Sequence, residues 1–273
     1  MSTPIQLLLC GSAADVPTDE RDERTNALAG LGELINSYFE FSIGFKKEIG
    51  SARASYFLPI ALRSLMETAT IALLARVDPL RVIHSSKSQD SADYIKSRQQ
   101  ASALKWKNDI IGEENTNHSE TGNDSKSQKN PWDPNVNPQK IPRALLSEQS
   151  CEALWIPAFN NSTKWLSSSK SEVSSEWKNE LLKLNPEDFK KQTTGTGNKI
   201  YSELSKGIHP EFFVRREVKF DESTLATALE NSIKWVTTLA LISHFASGIR
   251  IDLSREDAFN KFIEVERIIN GQQ

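Results

Sequence analysis

Three side chains that can take part in acid–base chemistry recur at four-residue intervals in the second half of the chain. They are Tyr201, Ser205 and His209. Residues four apart lie on one face of an α-helix, so the three predict a single polar ladder. An imidazole can act as a general acid or base, and a phenol or hydroxyl can hold a reacting group in place. The ladder is therefore the first candidate site.

Cleavage of RNA without a metal ion is one reaction that these residue types could perform. It requires a base for the 2′-hydroxyl, an acid for the leaving oxygen and a cation for the phosphorane. His209 is the candidate acid or base, and Tyr201 or Ser205 would orient the phosphate. The cation would come from a basic residue predicted near the ladder: Arg63, Lys206, Arg215 or Arg216. The ladder could equally be a hydrogen-bond network that locks the helix into the core, and the residues alone leave both interpretations open.

A pair of charged residues interrupts an otherwise apolar helical segment. Arg63 and Glu67 are spaced four apart, which suits an ion pair within one helix. Since a charge in an apolar helix needs a partner, the two residues either form an ion pair with each other or belong to a site near the ladder.

Helical periodicity extends over most of the chain and predicts an all-α bundle. We expect helices at 23–49, 52–76, 91–111, 143–154, 159–168, 172–184, 199–209, 221–248 and 255–269, a glycine-rich loop at 193–199 and a short extended piece at 212–220. His244 is expected to interact with the dipole at the end of its helix. The aromatic residues between 155 and 177 fall at helical intervals and are predicted to lie in the core.

One polar stretch divides the predicted bundle. Residues 113–138 are almost devoid of apolar side chains, so residues 85–141 are expected to form a long polar, partly disordered insertion. The expected organisation is an N-terminal loop segment (1–22), a helical hairpin (23–84), the insertion, and the remaining bundle with the ladder (142–273).

Composition excludes several classes of function. The net charge of −3 carries no global signature of nucleic-acid binding, so any such surface must be local. The two cysteines match no metal spacing, and neither a His-Glu-x-x-His motif nor a phosphate-binding loop is present. We expect no metal, no cofactor, no membrane span and a cytoplasmic location.

Two motifs together resemble HEPN-like helical proteins of bacterial abortive-infection, toxin–antitoxin and other anti-phage systems. They are Leu62-Arg63-Ser64-Leu65-Met66-Glu67 and Tyr201-Ser-Glu-Leu-Ser205-Lys-Gly-Ile-His209-Pro210. The resemblance implies a defence effector that binds and cleaves RNA, forms a homodimer and has a protein partner from the same operon. It implies catalytic roles for His209, Arg63, Tyr201, Ser205 and Glu67, and RNA contacts from Lys206, Arg215, Arg216 and Lys219.

The ladder departs from the family pattern at one position. HEPN nucleases carry an arginine four to six residues before the histidine, where this chain has Glu203, Leu204 and Ser205. Arg63 on the neighbouring helix could replace it. The alternative is a non-catalytic helical interaction or regulatory subunit of a defence complex, in which the ladder is structural.

Overall fold

The computed structural model describes residues 2–90, 104–111, 144–168, 174–207, 216–249 and 253–272. Every regular element within these ranges is helical, which confirms the all-α prediction. The long polar stretch at 113–138 lies outside the described residues.

The helices follow the chain in this order. They are α1 (Pro4–Cys10), α2 (Glu23–Gly44), α3 (Ala52–Val77), α4 (Pro79–Asp90), α5 (Ile156–Ser168), α6 (Glu176–Lys183), α7 (Pro186–Lys191), α8 (Gly197–Ser205), α9 (Arg216–Lys219), α10 (Glu222–Ser243) and α11 (Arg255–Asn270). Two short pieces lead into α5: a single turn at Glu148–Ser150 and a π-helical turn at Cys151–Trp155. Another π-helical turn, Trp106–Ile110, follows α4 in the chain, and a third, Gln192–Thr196, lies between α7 and α8.

Polar side chains fix where several of these helices begin. Asp22, Ser51, Asn185, Asp221 and Ser254 each accept a hydrogen bond from the backbone N–H three residues ahead. Each bond satisfies a donor that the helix itself leaves unpaired. Of the two residues at the start of the predicted helix 221–248 that could cap it, Asp221 and Ser223, the cap is Asp221.

Helix α3 is the core of the bundle. It packs against α2, α4, α8, α9 and α10, and Leu58, Leu62, Leu65 and Met66 are fully buried. Among the described residues, α3 is long and apolar enough to cross a membrane, but most of that stretch is buried inside the protein. The aromatic side chains predicted for the core include Trp155, Phe159 and Trp177, each at most 2% exposed.

The N-terminal segment differs from the expected loop. Pro4–Cys10 forms α1, in which Ile5, Leu8 and Leu9 have no exposed surface. A helix this short has little stability of its own, so packing rather than local propensity explains why it forms. Both cysteines, Cys10 and Cys151, are buried and free.

Residues 193–199 are helical, which corrects the prediction of a glycine-rich loop. The π-helical turn Gln192–Thr196 runs directly into α8. Gly197 is buried so closely against Trp235 that a Cβ atom would lie 2.4 Å from the indole. The glycine therefore allows α8 to pack closely against Trp235. Because residues 193–199 are helical, they do not form a loop that could bind a phosphate.

Two further boundaries need correction. Within the expected extended piece at 212–220, Arg216–Lys219 forms α9, and 212–215 lie outside the described residues. Helix α4 (Pro79–Asp90), which periodicity did not predict, extends into the expected insertion at 85–141. Within the expected helix at 91–111, only residues 104–111 are described, and these form a packed π-helical turn in which Trp106 and Ile110 are buried.

Candidate functional site

Helices α3 and α8 bring three polar side chains into one hydrogen-bonded group, the arginine–tyrosine cluster (Arg63, Glu67 and Tyr201). Arg63 Nε donates to Glu67 Oε1 over 3.2 Å, and Arg63 Nη2 donates to the Tyr201 hydroxyl over 2.7 Å. The hydroxyl in turn donates to Glu67 Oε1 over 2.6 Å. The predicted ion pair between Arg63 and Glu67 is confirmed, and so is their position beside Tyr201.

Both faces of the Tyr201 ring are occupied. The Arg63 guanidinium lies 4.7 Å from the centre of the ring, and Trp106 stacks at 4.1 Å with the two rings 3° from parallel. Trp106 also contacts Trp235 and donates from its indole N–H to Asn198 over 3.3 Å. A base therefore has no free face of Tyr201 on which to stack, and the phenol can act only through its hydroxyl.

Three contacts with two neighbouring segments anchor the turn that carries Trp106. Asp109 forms an ion pair with Arg81 of α4. The backbone N–H groups of Leu145 and Leu146 donate to the carbonyls of Asp109 and Ile110 over 2.9 and 2.7 Å. Trp106 is thus a buried side chain that is held in place against the cluster, rather than a side chain on the surface.

Two glycines let α8 approach its neighbours. Gly197 faces Trp235, whose indole N–H donates to the Thr193 carbonyl over 3.1 Å. At the other end, a Cβ on Gly207 would lie 2.7 Å from Cβ of Pro59 on α3. Because neither position tolerates a larger residue without a shift, the glycines determine how close Tyr201 comes to Arg63.

The electrostatic surroundings keep the phenol protonated. Burial and the Glu67 carboxylate raise the pKa of Tyr201 to about 12, although Arg63 opposes the shift. A phenol with this pKa is a hydrogen-bond donor at neutral pH and cannot serve as the general base. The side chains of Arg63 and Glu67 keep 22% and 40% of their surface exposed, so a ligand can still reach them.

Ser205 does not join the cluster through its side chain. Its hydroxyl donates to the Tyr201 carbonyl over 2.7 Å, within the same helix. Serine inside a helix commonly makes this bond to the carbonyl four residues back. The hydrogen-bond network expected along the ladder therefore does not run from the Tyr201 hydroxyl to Ser205.

The predicted RNA-binding residues are described only in part. Lys206 is exposed at the end of α8, and Lys219 Nζ donates to its carbonyl over 3.5 Å, so two basic residues lie next to each other. Arg216 begins α9, but its side chain is not described. His209 and Arg215 lie outside the described residues.

A buried basic group at the opposite end of α3 was missed by sequence reasoning. Arg76 is 6% exposed and donates from Nη1 to the carbonyls of Leu8 and Leu9 in the last turn of α1. Burial lowers the pKa of Arg76 to about 10, and the charge of Arg24 adds to the effect. Arg76 therefore lies where the C-terminal ends of α1 and α3 meet, and the negative ends of the helix dipoles stabilise its charge.

His244 belongs to this buried group, which corrects its predicted role. Burial and the charge of Arg76 lower its pKa to about 3, so the ring is neutral and cannot interact with the helix dipole as a cation. Instead, Nε2 donates to the Leu8 carbonyl over 2.8 Å and ties the end of α10 to α1.

No cluster of three His, Cys, Asp or Glu side chains that could hold a metal ion occurs within the part of the chain that the structure describes. Comparison with protein-family models, with curated proteins and with solved structures found no match.

Proposed function

We propose that the protein is a HEPN-like effector of a prokaryotic defence or toxin–antitoxin type system that binds RNA and cleaves it by metal-independent acid–base chemistry. One observation supports this most directly. Arg63 reaches across from α3 to within 2.7 Å of the Tyr201 hydroxyl on the ladder helix. A cation thus stands beside the ladder although the ladder helix lacks the arginine of the resembled family.

The roles follow from the geometry of the cluster. Arg63 uses Nε and Nη2 within the protein, and Nη1 has no hydrogen-bond partner among the described residues. This nitrogen is the one that would face a phosphate oxygen and stabilise the charge of the phosphorane. Glu67 fixes the orientation of the guanidinium, and the protonated Tyr201 holds it from the other side.

The remaining steps are assigned to residues near the end of α8. His209 would transfer the protons, as base for the 2′-hydroxyl or as acid for the leaving oxygen. Ser205 would hold the end of α8 in position, because its hydroxyl donates a hydrogen bond to the Tyr201 carbonyl. Lys206 and Lys219, with Arg215 and Arg216, would hold the RNA backbone.

The cell-level features of the proposal follow from the same resemblance. The effector would act in the cytoplasm as a homodimer, with a protein partner encoded in the same operon. Toxicity on expression in bacteria, relieved by co-expression of the neighbouring gene, is the expected observation.

A non-catalytic interaction or regulatory subunit of a defence complex is the second candidate. Contacts within the arginine–tyrosine cluster favour this candidate, because they occupy the groups that a ligand would otherwise meet. Glu67 offsets the charge of Arg63, and Trp106 and Arg63 cover both faces of Tyr201. In that case the cluster stabilises the contact between α3 and α8, and RNA is not a substrate.

An assay on the purified protein separates the two candidates. The substrate is a fluorescent oligonucleotide with one ribonucleotide in a DNA background, incubated with EDTA. The first candidate predicts cleavage at the ribonucleotide, with a 2′,3′-cyclic phosphate on the product. Replacement of the ribonucleotide by its 2′-deoxy form should abolish cleavage, since the nucleophile is then absent.

Variants assign the roles. His209→Ala and Arg63→Ala should each reduce cleavage by about 100-fold or more, the usual contribution of an acid–base group or a charge-stabilising donor. His84→Ala and Arg267→Ala, at exposed positions on α4 and α11, are the matched controls. Full activity of a folded His209→Ala protein would exclude the catalytic assignment of His209, whereas a wild type that cleaves no RNA would favour the second candidate.

A further inference from the structure

The buried guanidinium of Arg76 has one edge that the protein itself does not use. Nη1 donates to the carbonyls of Leu8 and Leu9 over 3.3 and 3.2 Å. Nε and Nη2 are buried and have no hydrogen-bond partner among the described residues. In a guanidinium, the N–H of Nε and one N–H of Nη2 lie parallel on the same edge, and this edge binds carboxylates and phosphates through two hydrogen bonds. The unpaired atoms of Arg76 therefore make up one complete binding edge.

The charge of Arg76 has no acidic partner within the part of the chain that the structure describes. The neighbouring groups that act on its pKa are Cys10 and Arg24, and neither is a carboxyl group. Burial raises the pKa of the Cys10 thiol to about 12, so at neutral pH this side chain carries no negative charge. The ends of α1 and α3 contribute only partial negative charges. A buried full charge in such surroundings is costly unless an anion accompanies it.

The side chains around Arg76 favour an anion with more than one negative charge. The positive charge of Arg24 lowers the pKa of Arg76, so two cations act at this place. His244 is neutral, because its pKa is about 3, and its Nε2 is already bonded to the Leu8 carbonyl over 2.8 Å. A phosphate carries more negative charge than a carboxylate and has the same spacing of paired oxygens, so it suits this edge better.

The position of the edge limits the size of its ligand. Arg76 and Cys10 are each 6% exposed and His244 is 7% exposed, so the edge is enclosed by the ends of α1, α3 and α10. A small free anion can reach it after a local shift of side chains, whereas a phosphate within a nucleotide or an RNA chain is too large. Arg63 is 13 residues away on α3, which is about 20 Å along the helix, so the two arginines belong to separate sites.

We infer that the Nε–Nη2 edge of Arg76 binds a free phosphate ion. The ion lies on the side of the guanidinium that faces away from Leu8 and Leu9, and it balances the charge where α1, α3 and α10 meet. Bound phosphate therefore stabilises the folded protein. This site goes beyond the proposed function and does not depend on RNA cleavage.

Phosphate titrations of the full-length protein, in a phosphate-free buffer at constant ionic strength, test the inference. Calorimetry should show saturable binding by the wild type, and phosphate should raise its melting temperature. Arg76→Lys keeps the charge but loses the parallel N–H edge, so its affinity should fall about 10-fold or more. Arg63→Lys is the matched control, since it makes the same change at the other site on α3, and this variant should keep the phosphate binding that Arg76→Lys loses.

Two further ligands identify the source of the oxyanion. Acetate should bind more weakly than phosphate because it has a single charge, and adenosine monophosphate should bind more weakly because of its size. Tighter binding of either one would overturn the assignment to free phosphate.

A second measurement needs no variant at the buried position. In wild-type crystals soaked in selenate, anomalous scattering should place selenium beside Arg76, with oxygens at hydrogen-bond distance from Nε and Nη2. Selenium absent from Arg76, a wild type that binds no phosphate, or equal binding by a folded Arg76→Lys protein would overturn the inference. Phosphate binding that is lost only in Arg63→Lys would also overturn it, and would instead support a phosphate site at the arginine–tyrosine cluster.

Discussion

Protonation of His244 should govern how this protein responds to mild acid. The ring is 7% exposed, and burial together with the charge of Arg76 lowers its pKa from 6.5 to about 3. In the unfolded chain the imidazole takes up a proton as the pH falls through 6.5, while in the folded protein it does not. The unfolded state therefore binds more protons, and stability is lost as the pH falls.

The size of the effect follows from the shift. Each pH unit between the two pKa values costs about 1.4 kcal/mol of unfolding free energy, so the loss at pH 5 is about 2 kcal/mol. A protein of this length should lose roughly 5 °C of melting temperature for that change. The loss continues until the pH approaches the folded pKa.

Urea denaturation followed by tryptophan fluorescence at pH 7.5 and pH 5 measures the effect. His244→Gln keeps an N–H that can donate to the Leu8 carbonyl but cannot take up a proton in this range. The variant should lose about 2 kcal/mol less than the wild type between the two pH values, whatever its stability at pH 7.5. His84→Gln, at an exposed position, should lose as much as the wild type. Equal losses in the wild type and in His244→Gln would refute the reasoning.

Three further substitutions test the packing around the candidate site. Tyr201→Phe removes the hydroxyl but keeps the ring between its two neighbours, and should cost about 1.5–3 kcal/mol in urea denaturation, the usual contribution of a hydrogen bond to a charged group. Gly197→Ala places a methyl group against the Trp235 ring and should destabilise the protein by about 1–3 kcal/mol, whereas Gly195→Ala, where nothing lies within 4 Å, should not lower the melting temperature. Asp221→Ala removes the cap of α10 and should cost about 1 kcal/mol in thermal unfolding; an unchanged melting temperature would mean that packing alone fixes this helix start.

The long helices could be predicted from the sequence because local and long-range signals agree there. α2, α10 and α11 each begin after a capping side chain and then repeat apolar residues at helical spacing. α3 does so as well, and it runs through Pro59 without ending. In these segments the predicted bounds differ from the observed ones mainly at the ends, where helices fray or tighten.

Prediction failed where stability comes from contacts distant in sequence. α1 has seven residues and no capping side-chain bond, and it is held by burial of Ile5, Leu8 and Leu9. Residues 193–199 contain two glycines and several threonines, a composition typical of loops, yet packing against Trp235 keeps them helical. Tertiary contacts of this kind override local propensity and leave no periodic signal in the sequence.

The candidate site, too, could be predicted from the sequence only in part. The sequence indicated that Arg63 and Glu67 need partners, since charges on an apolar helix are costly when unpaired, and Tyr201 provides one. It could not indicate Trp106, which lies 92 residues from its partner Asn198 and reaches Tyr201 only because Asp109 and Ile110 hold its turn in place. Trp106 changes the chemistry available, because it closes the second face of the phenol and leaves the free edge of Arg63 as the part of the cluster that can meet a ligand.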